Sequence, residues 1–299
     1  DIIHLHNIHG YYVNIEILFK YLRAHPEIKK IWTLHDCWAF TGHCAYYTYA
    51  KCNKWQRCCN SNCPNKNEYP KAIFSKVEKN FNRKKEIFNN VENMILVTPS
   101  EWLKNEVEKS YLKSYQIEVI NNGVDTKIFK YTKSNIKEKY SIKNKKVILG
   151  VASVWDKRKG LDIFIKLSKR LDSNYQIVLI GLNKNQQKKV SDNIIGITRT
   201  ENVQELVKWY SAAEVLFNPT LEDNYPTVNL EAIACGTPVI TFDTGGSPES
   251  AFADESTTIF SKSVDESVIK ILNINKADIK QKCIKMKFIN DTYLKLMKE

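Results

Sequence analysis

Asn218-Pro219-Thr220-Leu221-Glu222-Asp223-Asn224-Tyr225-Pro226-Thr227-Val228-Asn229-Leu230-Glu231-Ala232-Ile233-Ala234-Cys235-Gly236-Thr237-Pro238 holds a strand end, a loop, a helix and the approach to another strand. The run 213–219 reads as a buried strand that stops at Pro219. Glu222 and Asp223 then form an acidic loop, and a helical pattern opens after Pro226 with an early carboxylate, Glu231. A carboxylate inside the apolar run 230–234 is expensive to bury without partners. Glu231 therefore reads as a ligand-binding group, suited to the two hydroxyls of a ribose, while the backbone amides near 227–229 suit a phosphate at a helix start.

The same rhythm runs outward in both directions. Short β-branched runs alternate with helical patterns, as in parallel sheets joined by crossover helices. Strands are predicted at 1–7, 30–36, 93–100 and 116–121, with helices near 13–24, 71–90 and 101–114. Further strands are predicted at 146–153, 176–181, 213–219, 238–242 and 257–260. The turn Asn121-Asn122-Gly123-Val124-Asp125, followed by a polar, Lys-rich stretch to Lys146, divides the chain into domains 1–125 and 126–299. Two α/β domains also suit 299 residues, since one core serves roughly 150.

Apolar residues make up 43% and aromatic residues 11%, which fits a packed globular protein. No apolar run reaches the roughly 20 residues of a membrane span, and no signal peptide opens the chain. The start on Asp1-Ile2-Ile3-His4-Leu5-His6, without Met, leads us to expect that N-terminal sequence is missing and that the setting is cytoplasmic. A formal net charge of +12 attracts phosphate-bearing ligands, an anionic membrane face or nucleic acid, without choosing among them.

Residues just beyond the strands form the candidate site, because open α/β sheets bind ligands there. His4, His6 and His9 surround the end of the first strand, and His35-Asp36 ends the next. They read either as caps of loop carbonyls or as a polar floor able to hydrogen-bond a sugar. In the second half, Asp156-Lys157-Arg158-Lys159-Gly160 offers three cations at a strand end, with Arg158 and Lys159 placed for a diphosphate. Thr244-Gly245-Gly246-Ser247 adds a loop that backbone can bring close to a ligand.

Two further features have structural and functional readings side by side. Six of eight cysteines lie between Cys37 and Cys63. Cys44, Cys52, Cys58 or Cys59, and Cys63 could supply four thiolates to a structural zinc, with His43 as a substitute; free thiols and disulfides are the alternatives. Over 71–90, Phe74, Val77, Phe81 and Phe88 recur at helical spacing among Lys71, Lys76, Lys79, Arg83, Lys84 and Lys85. That is an ordinary domain helix or a surface for anionic lipid headgroups.

Taken together, the residues resemble glycosyltransferase family 4, the retaining GT-B enzymes, and within it bacterial exopolysaccharide transferases of the colanic acid type. The marks are His4-Leu5-His6-Asn7-Ile8-His9-Gly10, Trp32-Thr33-Leu34-His35-Asp36, Thr98-Pro99-Ser100, Asn122-Gly123-Val124-Asp125, Arg158-Lys159-Gly160, the loop through Glu231-Ala232, and Gly245-Gly246. The Cys-rich insert over 37–70, with Cys63-Pro64 and Tyr69-Pro70, is similar to that subgroup in particular. The resemblance implies two Rossmann-like domains with parallel sheets facing a cleft, acceptor on the first and donor on the second. The first domain is expected to be incomplete, and the last residues to form a closing helix.

It also implies a hexose moved from a UDP- or GDP-sugar to a saccharide acceptor, lipid-linked, in capsule, exopolysaccharide or O-antigen synthesis, on the inner face of the plasma membrane and with no metal required for catalysis. His35, Asp223 and Glu222 would be catalytic. Arg158, Lys159, Ser153, Arg199, Tyr225, Thr227, Val228 and Glu231 would bind the donor. Asp223 stands where the family commonly has Glu, and Ala152-Ser153 where many relatives have Gly-Arg. The rival readings are a GT-B nucleotide-sugar epimerase, a non-catalytic scaffold, and a zinc-stabilised nucleic-acid-binding protein. Nucleic acid is disfavoured, because the Glu222-Asp223 loop would repel a phosphate backbone.

Overall fold

The computed structural model describes residues 1–9, 12–60, 62–65, 76–251, 258–261, 263–274 and 286–298. The chain divides into two units, Asp1–Asn121 with Asn290–Glu299, and Asn122–Ile289. The last ten residues thus group with the first unit, where the sequence division had left them in the second. Their attachment is specific: Lys29 Nζ donates to the Leu296 carbonyl at 2.5 Å, and Tyr293 shares a 3.1 Å hydrogen bond with Thr33 Oγ1.

The first unit holds a parallel sheet of β1 (Ile2–Leu5), β2 (Lys29–Thr33), β3 (Met94–Thr98) and β4 (Gln116–Val119), paired in that order. Its strands are shorter than predicted because the polar ends of the sequence runs leave the ladder. The helix Ile15–Ala24 starts where the Asn14 side chain accepts from the Glu16 and Ile17 amides. The helix Glu101–Glu108 starts where Ser100 accepts from the Leu103 amide. Both are side-chain caps of exposed helix-start donors. Phe19, Leu22, Trp32, Phe88 and Leu96 form the centre of the core.

The second unit is a six-stranded parallel sheet in the order β10-β9-β8-β5-β6-β7, of β5 (Lys146–Val151), β6 (Tyr175–Ile180), β7 (Ile194–Ile197), β8 (Val215–Asn218), β9 (Val239–Phe242) and β10 (Thr258–Ser261). Near-continuous apolar runs are what a sheet covered on both faces requires. Successive side chains split between two cores: Val147, Leu149 and Leu216 on one face, Ile148, Val215 and Phe217 on the other. The chain runs from β5 through β6 to β7, then resumes at β8 on the opposite side of β5. That reversal leaves a crevice beyond the carboxyl ends of β5 and β8. Strand β7 has no counterpart among the predicted strands, since Gly196 interrupts a run of only four residues.

The cysteine-rich segment has an apolar centre of its own. Phe40, Tyr47 and Trp55 are buried, with the Trp55 ring centroid 5.1 Å from Phe40 and 4.9 Å from Tyr47. Three aromatic rings, together with buried Cys44 and Cys59, give this segment a core continuous with the first unit.

Candidate functional site

In the second unit, Arg158 and Lys159 lie beyond β5 and meet the acidic loop that follows β8. Asp156 caps the single 3-10 turn Lys157–Lys159 by accepting from the Lys159 amide at 3.0 Å. Gly160 ends the turn at φ +76°, where a Cβ would meet the Pro219 carbonyl at 2.7 Å. Only glycine takes that backbone this close to its neighbour without strain. The turn is tied to the acidic loop by the Leu221 amide donating to the Arg158 carbonyl at 2.7 Å. Arg158 Nη1 in turn donates to the Glu222 carbonyl at 3.1 Å.

Charge then meets charge. Lys159 Nζ lies 2.5 Å and Arg158 Nη1 3.7 Å from Asp223 Oδ2. All three side chains are largely shielded, with 19%, 19% and 11% exposure for Arg158, Lys159 and Asp223, so this pair is screened less than a surface one. Asp223 is itself clamped: its carbonyl accepts from the Gly246 amide at 2.9 Å, and Gly245, at φ +56°, would put a Cβ 2.1 Å from that oxygen.

The helix Thr227–Ala234 opens after Pro226 with no side chain capping its first amides. One turn in, Glu231 Oε2 accepts from the Tyr210 hydroxyl at 2.7 Å. Burial raises the Glu231 carboxyl above its ordinary value, opposed by the hydrogen bonds from Tyr210 and Thr227. Ser153 is exposed just beyond β5. Arg199 is exposed beyond β7, an edge strand two places from β5, so the fold sets it apart from the Arg158–Lys159 turn. Tyr225 packs among Val124, Leu230 and Ala234, with its hydroxyl buried and without a hydrogen-bond partner among the described residues.

In the first unit, the histidines converge beyond β1 and β2. His6 Nδ1 and His35 Nε2 are 2.9 Å apart with rings stacked at 5.2 Å, and the His4 ring lies 4.3 Å from that of His6. His4 Nε2 also meets Thr33 Oγ1 at 2.9 Å. Burial, with His6 and His35 as like charges, lowers His4 to about 4. Burial lowers His6 and His35 as well. A hydrogen bond between two imidazoles needs one donor and one acceptor nitrogen, so a neutral pair suits it. His9 stands apart, its Nε2 2.9 Å from Asp36 Oδ2, while Asp36 Oδ1 accepts from the Trp38 amide at 2.8 Å.

Residues 145–275 match the family described as glycosyl transferases group 1. That match lies within the second unit. It is 22% identical over 288 residues to the putative colanic acid biosynthesis glycosyl transferase WcaC of Escherichia coli K12, covering 94% of this chain and 68% of that protein. It is 24% identical over 197 residues to the capsular polysaccharide biosynthesis glycosyltransferase CapM of Staphylococcus aureus, covering 60% of this chain and 52% of that one. Among solved structures it is similar to the sucrose-phosphate synthase of Thermosynechococcus elongatus, with TM-score 0.72, 18% identity, and 99% of this chain and 73% of that chain covered. It is also similar to Anabaena Alr3699/HepE in complex with UDP, with TM-score 0.70, 14% identity and coverage of 100% and 78%. The fold is GT-B, and the protein is an enzyme of the glycosyltransferase class.

For this transferase, sequence reasoning missed Tyr210, which lies on another helix, 21 residues from Glu231, with no local signal to announce it. The four-thiolate metal set is not assembled. Among the described residues, no three His, Cys, Asp or Glu side chains come together to hold an ion. Cys58 is exposed and its thiol donates to the Cys59 carbonyl at 3.3 Å, while the Cys44 thiol donates to Cys63. Cys37, Cys44, Cys52, Cys58, Cys59, Cys63 and Cys235 all keep their thiols, with no disulfide among the described residues. Of the basic helix, Lys84 is buried and Arg83 pairs with Glu16 at 2.6 Å, while Lys76, Lys79 and Lys85 are exposed. Lys71 and Phe74 lie outside the described residues.

Proposed function

We propose that the protein is a retaining transferase that moves a hexosyl group from a UDP- or GDP-sugar to a saccharide acceptor in surface-polysaccharide synthesis. The observation that carries this reading is Glu231, a half-buried carboxylate held on one oxygen by Tyr210 at the start of an uncapped helix. Besides the Tyr210 and Thr227 hydrogen bonds, a carboxylate has further lone pairs to accept from ribose hydroxyls, and the amides of Thr227 and Val228 suit the phosphate. Arg158 and Lys159 then neutralise the diphosphate. The relatives named for colanic acid and capsular polysaccharide support the pathway class. HepE, solved with UDP and with UDP-glucose, supports the donor.

On this reading the diphosphate takes over Lys159 and releases Asp223, with Glu222, towards the hydroxyls of the donor sugar. A phosphate oxygen of the donor takes the acceptor proton as the sugar–phosphate bond breaks and the new glycosidic bond forms on the same face. The nucleoside diphosphate leaves carrying that proton. His35, neutral, donates a hydrogen bond to the transferred sugar. The acceptor is lipid-linked, and exposed Lys76, Lys79 and Lys85 give the Val77–Phe88 helix its attraction to anionic headgroups on the cytoplasmic side.

Calorimetric titration with UDP, GDP and ATP tests the donor site. One of the two diphosphates should bind in preference to ATP, and Lys159→Ala should abolish that binding. Failure of both to bind a folded chain would overturn the assignment.

A further inference from the structure

A cavity of about 380 Å³ opens in the first unit beyond β1 and β2, a size within the usual range for small-molecule sites. Ile8 and His9 follow β1, Trp38 follows β2, and Asn80, Arg83 and Lys84 come from the helix Val77–Phe88. Asn80 and Lys84 share one stripe of that helix by their spacing of four. The cavity is therefore built from elements that the fold fixes.

Lys84 is the unusual member. It is 3% exposed, donates to the Trp38 carbonyl, and stands 4.0 Å from the centroid of the Trp38 ring. An ammonium has three donors, and among the described residues no carboxylate lies within ion-pair distance of this one. The nearest acid, Asp36, is engaged by His9 and by the Trp38 amide. A buried charge without an opposite charge is costly, and burial accordingly lowers the Lys84 ammonium to about 7. Asp36 offsets this only in part. An anion entering the cavity would supply the missing countercharge. Around it, Tyr12 and Trp38 offer apolar faces for the C–H side of a sugar ring, and Asn80 offers a carboxamide for its hydroxyls.

We propose that this cavity is the acceptor subsite and that it takes a saccharide bearing an anionic substituent, a carboxylate or a phosphate, seated against Lys84. The proposal rests on the reading of the protein as a glycosyltransferase whose first unit holds the acceptor. The saccharide and its charge are recognised by different groups: Trp38, Tyr12 and Asn80 for the ring, Lys84 with Arg83 at the rim for the anion.

Saturation-transfer NMR titrations of the whole chain with glucose, glucuronic acid, glucose 6-phosphate and inorganic phosphate test it. At least one charged sugar should bind about tenfold more tightly than glucose, and the better of the two identifies the anion as carboxylate or phosphate. Inorganic phosphate should bind more weakly than glucose 6-phosphate. Lys84→Met should remove the advantage of the charged sugar. Asn80→Asp, on a half-exposed position one turn from Lys84, should do the same without touching the buried lysine, and so serves if the first variant does not fold.

Equal binding of glucose and both charged sugars would overturn the proposal. Inorganic phosphate matching glucose 6-phosphate would overturn its saccharide part, and a retained advantage in both folded variants would overturn the assignment to this cavity. UDP and GDP titrated into the same samples separate the two readings. Nucleotide binding with no anionic-sugar binding sinks only the acceptor subsite, while the reverse sinks only the donor site.

Discussion

Glu231 couples stability to function through one carboxylate. Its folded-state value is raised by burial, so the stability it contributes is present at low pH and is lost as pH rises through that value. At neutral pH it is a destabilising group retained for the hydroxyls it can still accept from. Glu231→Gln should therefore keep or raise Tm at pH 7, while weakening nucleoside diphosphate binding by about 10- to 100-fold, the worth of hydrogen bonds to a charged group. Calorimetry and a thermal scan on the same sample check both halves, and a lower Tm would contradict the sign. Asp223 makes the opposite case. Because it occupies Lys159 at 2.5 Å, Asp223→Asn should strengthen nucleoside diphosphate binding several-fold while sugar transfer falls, which a competition between binding and turnover assays reads directly. Glu231 was legible in the sequence because a carboxylate in an apolar run has few explanations. Its partner Tyr210 was not, since pairing across two helices leaves no spacing rule to follow. The Lys159–Asp223 contact was equally hidden: each residue was assigned to the ligand, and only the tie between the two loops makes them compete.

The elements divide between those that announce themselves and those that depend on tertiary packing. Strands β5, β6 and β9 were legible as β-branched runs, whereas β7, four residues around Gly196, gains its strand character from pairing with β6. The basic helix was legible as amphipathic, yet its pattern could not reveal that Lys84 belongs to the buried stripe beneath Trp38. A long lysine side chain can follow either face. The spacing of the cysteines left zinc, disulfides and free thiols open, and did not show that Phe40, Tyr47 and Trp55 supply the segment's core. Trp55→Ala should therefore destabilise the first unit by about 3–5 kcal/mol, the usual penalty for emptying a large aromatic site. Urea unfolding followed by circular dichroism measures this, and a loss below about 1 kcal/mol would mean the rings are not what orders the segment.

Over the whole molecule, an excess of positive charge meets a group of histidines that fold in their neutral form. The formal charge of +12 counts histidine as neutral, so every proton taken up on acidification adds to an existing surplus and to self-repulsion. His4, His6 and His35 are all lowered by burial, His4 to about 4. In the unfolded chain each would titrate near 6.5. Between those values the unfolded state binds more protons than the folded one. The stability that these groups contribute is thus fully present above pH 6.5 and is lost as pH falls towards 4. Because they are only partly shielded, the effect per group is modest and discounted by solvent, but the three act in one cluster and in one direction. Thermal scans should show Tm falling between pH 6.5 and 4, and His6→Gln, which removes the middle ring of the stack, should flatten that fall. A Tm independent of pH across this window would mean that the histidines take up protons as readily in the folded chain as in the unfolded one, contrary to the lowering that burial gives them.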